Sequence, residues 1–178
     1  MRIVGIDPGL RLTGYGVVEF AAANSLRPRL VDAGVFRLSE KEPIAFRLME
    51  LERELDGLFD EQKPDICAIE QLYAHYAHPR TAILMGHARG VIMVVAAWRE
   101  IRIEQYAANR IKQAVAGHGH AGKMSMQRAV QAVWNLKALP SPPDVADALA
   151  VALCCGRAVV EKRILDRAIR YSARPRRG

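Results

Sequence analysis

Aromatic side chains make up only 6% of this chain of 178 residues, while 51% of its residues are hydrophobic. A core of ordinary size follows, and it is aliphatic. Cysteine is scarce too: Cys67, Cys154 and Cys155 are the only three, and no C-x-x-C spacing occurs. An odd count with two neighbours adjacent excludes a disulfide scaffold and a thiolate zinc ribbon. Buried free thiols in a reducing compartment are expected instead. No uninterrupted apolar run of about 18 residues is present, so no membrane span is expected. The opening MRIVGIDPG has neither the apolar stretch nor the small-residue cleavage site of a secretory leader, and a cytoplasmic protein is expected. Internal repeats are absent. The length fits one domain with a short extension.

Charge is plentiful and unevenly placed. The net charge is +7, but residues 1–79 carry 13 acids against 9 bases, whereas residues 80–140 carry 9 bases against 2 acids. Residues 161–178 add 7 bases against 2 acids. An acidic first half beside a basic middle and tail suits a polyanion held over a carboxylate site. A solvated basic surface is the simpler alternative.

RIVGID (2–7) is a short apolar run that predicts a buried strand, punctuated by Pro8–Gly9. TGYGVVEF (13–20) predicts the return strand of a hairpin, and LVDAGVFRL (30–38) a third strand. Ile44, Leu48, Leu51, Leu55, Leu58 and Phe59 recur at helical spacing, which predicts a helix over 42–62. DICAIE (65–70) predicts a fourth strand, residues to about Trp98 a long helix, and IRIEQY (101–106) a fifth strand. Short helices are expected at 108–116 and 123–136, and a last one from Asp144 to about Arg163. The order βββαβαβ followed by helices predicts an α/β fold: a mixed five-stranded sheet, strands 1–3 antiparallel, flanked by helices. Residues 1–160 are expected to form this domain and 161–178 a basic, flexible tail.

In the long helix Ala82, Gly86, Gly90 and Val94 recur every four residues. Glycine in a helix interior costs about 1 kcal/mol, so two of them call for a reason. Close packing on the protein's own sheet is one, and a self-associating face is the other.

Both RIVGID and DICAIE are apolar up to a final carboxylate, Asp7 and Glu70. Asp144 and Asp147 form D-x-x-D at a helix start, and i, i+3 spacing places them on one helical face. Singly, each acid has a plain explanation as a loop residue or helix cap. Four together are harder to dismiss, and if strands one and four are neighbours, Asp7 and Glu70 sit side by side as like charges that repel. A bound cation is the remedy, and oxygen-only ligands favour a hard ion such as Mg²⁺.

The stretches GIDPGLRLTGYGVV, AIEQLY, GHARG, YAANRIKQAVAGHG and DVADALAVA, in this order, resemble the RuvC family of bacterial Holliday-junction resolvases, within the RNase H-like superfamily. The resemblance runs from Met1 to about Val160. It implies that Asp7, Glu70, Asp144 and Asp147 are catalytic acids holding two Mg²⁺ ions per subunit, with Mn²⁺ as a substitute. It implies that Lys112 and Lys123 lie near the scissile DNA and that Tyr73 stacks at the junction centre, with Tyr76 a rival for that role. It further implies a homodimer, here through the helix over 80–98, paired nicks in opposed strands of a four-way junction that leave 5′-phosphate and 3′-hydroxyl ends, and a branch-migration complex of the RuvA and RuvB type as partner.

Other patterns compete. GHGHAGKMS (117–125) has the glycine and lysine spacing of a P-loop, but Met124 replaces the hydroxyl that would bind magnesium, and the preceding segment is predicted helical rather than extended. A flexible glycine loop delivering Lys123 is expected. His75 with His78, and His118 with His120, have zinc-like spacing but no nearby cysteine. An actin-like or sugar-kinase-type ATPase would need a second lobe. A catalytically idle DNA-binding module would not need four acids. A nuclease acting on RNA precursors is the alternative within the same fold.

Overall fold

A computed structural model of the chain describes residues 1–21, 27–72 and 79–172. Its elements follow the expected order: β1 (Arg2–Asp7), β2 (Leu12–Glu19), β3 (Arg29–Arg37), α1 (Ile44–Gln62), β4 (Ile66–Glu70), α2 (Pro79–Trp98), β5 (Arg102–Tyr106), α3 (Ala108–Ala116), α4 (Lys123–Trp134) and α5 (Pro143–Ser172). The five strands form one sheet in the order β3-β2-β1-β4-β5. β1 pairs antiparallel with β2, and β2 with β3. β1 and β4 are parallel neighbours, as are β4 and β5.

The sheet is covered on both faces, and strand alternation decides what each side chain meets. Ile3 of β1 and Ile66 and Ala68 of β4 belong to a core shared with α3, α4 and α5. Val4 and Ile6 of β1, with Cys67 and Ile69 of β4, belong to a second core shared with α1 and α2. Asp7 and Glu70 continue the first set by alternation, so both end their strands on the α5 side.

α5 can lie close to the sheet because the strands beneath it carry glycine. Gly5 pairs with Gly16 in register. A Cβ on Gly5 would lie 2.2 Å from the Ala148 carbonyl oxygen, and one on Gly16 2.6 Å from Leu149 Cδ2. Strand glycines of this kind mark close backbone approach. Further along, a Cβ on Gly156 would meet the Phe20 ring at 2.0 Å, so the helix keeps this contact to the far end of the sheet.

One expectation is corrected. α5 does not stop near Arg163; it runs to Ser172, and residues 161–170 are exposed. The stretch from 161, expected to be a flexible tail, is therefore helical through Ser172. No buried face imposes an apolar period on the exposed residues 161–170, and Glu, Lys, Arg and Leu are good helix formers. The window Thr81–Trp98 is long and apolar enough, by length and composition, to cross a membrane. Thr81, His87 and Arg89 interrupt its apolar run. In the fold Ala88, Ile92, Val95 and Ala96 are buried in the protein's own core.

The glycine stripe on α2 is open. A Cβ on Gly86 or Gly90 would meet no atom within 4 Å. Of the two explanations for that stripe, packing on the protein's own sheet is ruled out. All three cysteines are buried and free.

Candidate active site

Parallel pairing of β1 with β4 aligns Ile6 with Ile69, so Asp7 and Glu70 close the two strands side by side. The chain leaves β1 through Pro8 and Gly9, and that turn is pinned from within. The buried Thr13 hydroxyl donates to the Gly9 carbonyl oxygen at 2.5 Å. The first turn of α5 is seated on β2 at Gly14, the residue paired with Asp7; a Cβ there would lie 2.2 Å from the Asp144 carbonyl oxygen. The glycines that admit α5 thus bring Asp144 and Asp147 to the ends of the two strands.

A cleft of about 460 Å³ opens at this place. Asp7, Glu70, Asp147 and Lys123 line it, and the N-terminal part of α2 forms a wall through Thr81, Ala82 and Met85. An adjoining depression shares Glu70, Asp147 and Lys123 and adds Lys112. Asp144 is not among the residues lining either hollow, yet its charge acts on both Asp7 and Asp147.

The electrostatics record that convergence. Burial, then the charges of Asp147, Asp144 and Glu70, push the Asp7 carboxyl up to about 8, and Lys123 opposes them. Burial foremost, then Asp147, raises Glu70, and Lys112 opposes it. Burial also raises Asp147, with Lys123 and Lys112 lowering it and Asp144 raising it. Four acids therefore share one field with two lysines, a surplus of negative charge in a partly desolvated place. All-oxygen donors with that surplus fit a hard divalent cation. No three Asp, Glu, His or Cys side chains among the described residues are close enough together to make a ready-formed metal cage. The acids converge on the cleft without being locked around one point.

The two lysines come from different elements. Lys112 is on α3, and Lys123 is the first residue of α4. Between them, Gly117 adopts φ 85° to end α3, and Gly122 precedes Lys123. The P-loop spacing is thus a helix–loop–helix junction, as expected, and it delivers Lys123 to the acids. His118 and His120 are exposed. Tyr73, Tyr76, His75 and His78 lie outside the described residues.

Sequence reasoning gave no role to Arg89 or Gln105. The Arg89 guanidinium donates to the Glu70 carbonyl oxygen at 2.6 Å and to the Gln105 side-chain oxygen. Arg89 sits within the GHARG stretch, but nothing in one sequence shows that α2 crosses the end of β4. Gly5, Gly14 and Gly16, clustered in the first two strands, are a signal from which the close approach of α5 could have been read.

Residues 3–155 match the model of the family described as Crossover junction endodeoxyribonuclease RuvC. The chain belongs to the RuvC family. The RuvC of Rhodopirellula baltica is 44% identical over 154 residues, 85% of this chain and 84% of that protein. That of Alkaliphilus metalliredigens is 41% identical over 154 residues, covering 86% and 92%. The fold is similar to a solved structure of T. thermophilus RuvC in complex with Holliday junction substrate, with a TM-score of 0.82 and 31% identity over 90% of this chain and 96% of that one. It is also similar to the yeast mitochondrial Holliday junction resolvase Ydc2, with a TM-score of 0.61 and 13% identity, covering 94% and 85%. That likeness concerns the fold, which is RNase H-like. The match to the family model ends before the exposed part of α5.

Proposed function

We propose that this protein is a structure-selective endonuclease that resolves four-way DNA junctions in recombination and repair. It makes paired nicks in opposed strands and leaves 5′-phosphate and 3′-hydroxyl ends. One observation carries the reading: in a chain of the RuvC family, Asp7, Glu70 and Asp147 meet Lys123 in one cleft, with Asp144 and Lys112 beside them.

Asp7, Glu70, Asp144 and Asp147 would hold two Mg²⁺ ions, and Mn²⁺ in their place. When bound, such ions make a water nucleophilic near neutral pH and stabilise the oxygen leaving the scissile phosphate. The protein's own contribution is placement. The strand ends fix Asp7 and Glu70, and α5 brings Asp144 and Asp147 to them. Bound there, the ions would offset the mutual repulsion of the four carboxylates. Lys112 and Lys123 bind the phosphate backbone and balance charge that grows on the phosphate in the transition state. Tyr73, or its rival Tyr76, stacks on a base opened at the junction centre.

Two sites are needed for two nicks, so the working unit is a homodimer. Its contact is the open α2 face of Gly86, Gly90 and Val94, which adjoins Leu48 and Met49 of α1 and ends at Trp98, 73% exposed. Small residues there let two helices approach closely. Residues 1–160 are the nuclease domain, and the basic stretch 161–178 is an appendage to it. A branch-migration complex of the RuvA and RuvB type is the protein partner, and the cytoplasm is the compartment, in keeping with free buried thiols.

The test is one gel with a labelled four-way junction and a linear duplex of the same sequence, each in Mg²⁺ and in EDTA. Cleavage of the junction alone, and only in Mg²⁺, is expected. Equal cutting of both substrates would overturn the junction reading, and cutting in EDTA the metal.

A further inference from the structure

Glu70 is the last residue of β4, so its carboxylate is aimed by whatever fixes the end of that strand. Pairing with β5 stops here: Glu70 is in register with Tyr106, and the Gln71 amide donates to the Tyr106 carbonyl oxygen at 2.8 Å. The Glu70 carbonyl oxygen is held from α2, by Arg89 Nη1 at 2.6 Å. The second arm of the same guanidinium donates to Gln105 Oε1 on β5. A planar, rigid fork with two fixed acceptors sets the angle of the peptide plane it binds. Arg89 is partly buried, whereas Gln105 is exposed. The residues that line the cleft from the same helix are Thr81, Ala82 and Met85, and Arg89 is one helical turn beyond Met85.

Arg89 meets Glu70 at its main-chain oxygen. The groups that move the Glu70 carboxyl are burial, then Asp147, then Lys112. The contact is to the main chain, so its effect is geometric.

We propose that Arg89 is a positioning residue for Glu70: it clamps the main chain at the end of β4 to α2 and β5, and so holds the Glu70 carboxylate toward Asp7 and Asp147 without touching metal or DNA. This rests on the reading of Glu70 as a metal-holding acid. It joins three elements at one point, and one of them, α2, also carries the open glycine face. Partners that orient a metal ligand typically change metal affinity or activity by about 10–100-fold when removed.

The experiment compares the full-length wild type with Arg89→Gln, Arg89→Lys, Gln105→Met and Glu70→Gln. Mn²⁺ binding to the free protein is measured by calorimetry, junction binding in EDTA by gel shift, and single-turnover cleavage over a Mg²⁺ series. Arg89→Gln is expected to weaken Mn²⁺ binding and raise the Mg²⁺ midpoint by about 10–100-fold, with junction affinity in EDTA unchanged. Gln105→Met shifts both in the same sense by less, and Arg89→Lys, which reaches only one acceptor, recovers part of the loss. Unchanged Mn²⁺ affinity in Arg89→Gln overturns the proposal. So does a fall in EDTA junction affinity that matches the fall in cleavage, which would make Arg89 a DNA contact. If Arg89→Gln fails to fold, Gln105→Met at its exposed position decides, and unchanged Mn²⁺ affinity there overturns it. Glu70→Gln separates the two readings: normal Mn²⁺ binding in that variant would remove the metal role of Glu70 itself.

Discussion

Gly14 lies under Asp144 with no room for a side chain: a Cβ there would come within 2.2 Å of the Asp144 carbonyl oxygen. The blocking atom is backbone, at the start of the helix that carries two of the four acids. Gly14→Ala must therefore lift the first turn of α5 off β2. A loss of stability of about 1–3 kcal/mol is expected, the usual cost of overpacking, together with a loss of cleavage larger than that destabilisation explains. Thermal melts and single-turnover cleavage at a temperature where the variant is folded would check both. Wild-type cleavage in a folded Gly14→Ala would show that the seat of α5 does not set the acid geometry.

Asp7 yields a prediction about stability as well as catalysis. Folding raises its carboxyl from 3.8 to about 8. Between those values the folded chain keeps a proton that the unfolded chain has released, so stability of the metal-free protein falls as pH rises through that window and is fullest below it. Glu70 and Asp147 are raised as well and push in the same direction. Asp7→Asn removes the largest part. In EDTA near pH 8 it should be more stable than wild type by about 1–3 kcal/mol, with the difference shrinking toward pH 4. Mg²⁺ should raise the melting temperature of the wild type more than that of the variant. Asp7→Asn should still bind junctions but not cut them. Melting curves across pH, with and without Mg²⁺, would expose a failure.

The outward face of α2 predicts a separable defect. Val94 is 45% exposed and adjoins Gly90 on the open side. Val94→Glu should therefore leave the melting temperature of the monomer within a few degrees while breaking self-association. Sedimentation is expected to show a dimer for the wild type and a monomer for the variant. Paired nicking should fall at least about tenfold, the effect of roughly 1.4 kcal/mol on an association. A dimeric Val94→Glu would move the interface elsewhere.

The exposed end of α5 predicts tolerance. Its one ion pair to the body among the described residues, Glu161 with Arg110 at 3.7 Å, is between exposed side chains. Such pairs contribute about 0–1 kcal/mol. A chain ending at Val160 should fold, melt within a few degrees of the full chain, and cut junctions with unchanged single-turnover rate at saturating enzyme. The lost arginines and lysine should show only as a shallower salt dependence of junction binding. Loss of the folded state would place residues 161–178 inside the domain.

Much of the site was legible because its residues occupy places that local sequence defines. Asp7 and Glu70 each close a short apolar run, and the strand bounds follow from those runs to within a residue. Asp144 and Asp147 are spaced to share a helical face whatever surrounds them. Lys123 follows a glycine loop between two helical patterns. The end of α5 was misjudged because an exposed helix has no buried face to impose a period. The α2 stripe left two explanations open, because periodicity identifies a face without naming what it meets.

The sequence alone determined the order of the secondary elements, the four acids at strand and helix ends, and the basic middle that supplies two lysines, since strand alternation, helical spacing and charge are local properties. The tertiary structure decided that β1 and β4 are neighbours, that the α2 stripe is open, and that Arg89 grips the last carbonyl of β4. Those depend on pairs such as Gly14 with Asp144 and Arg89 with Glu70. They are far apart in the chain, and only packing the helices on the sheet brings them together.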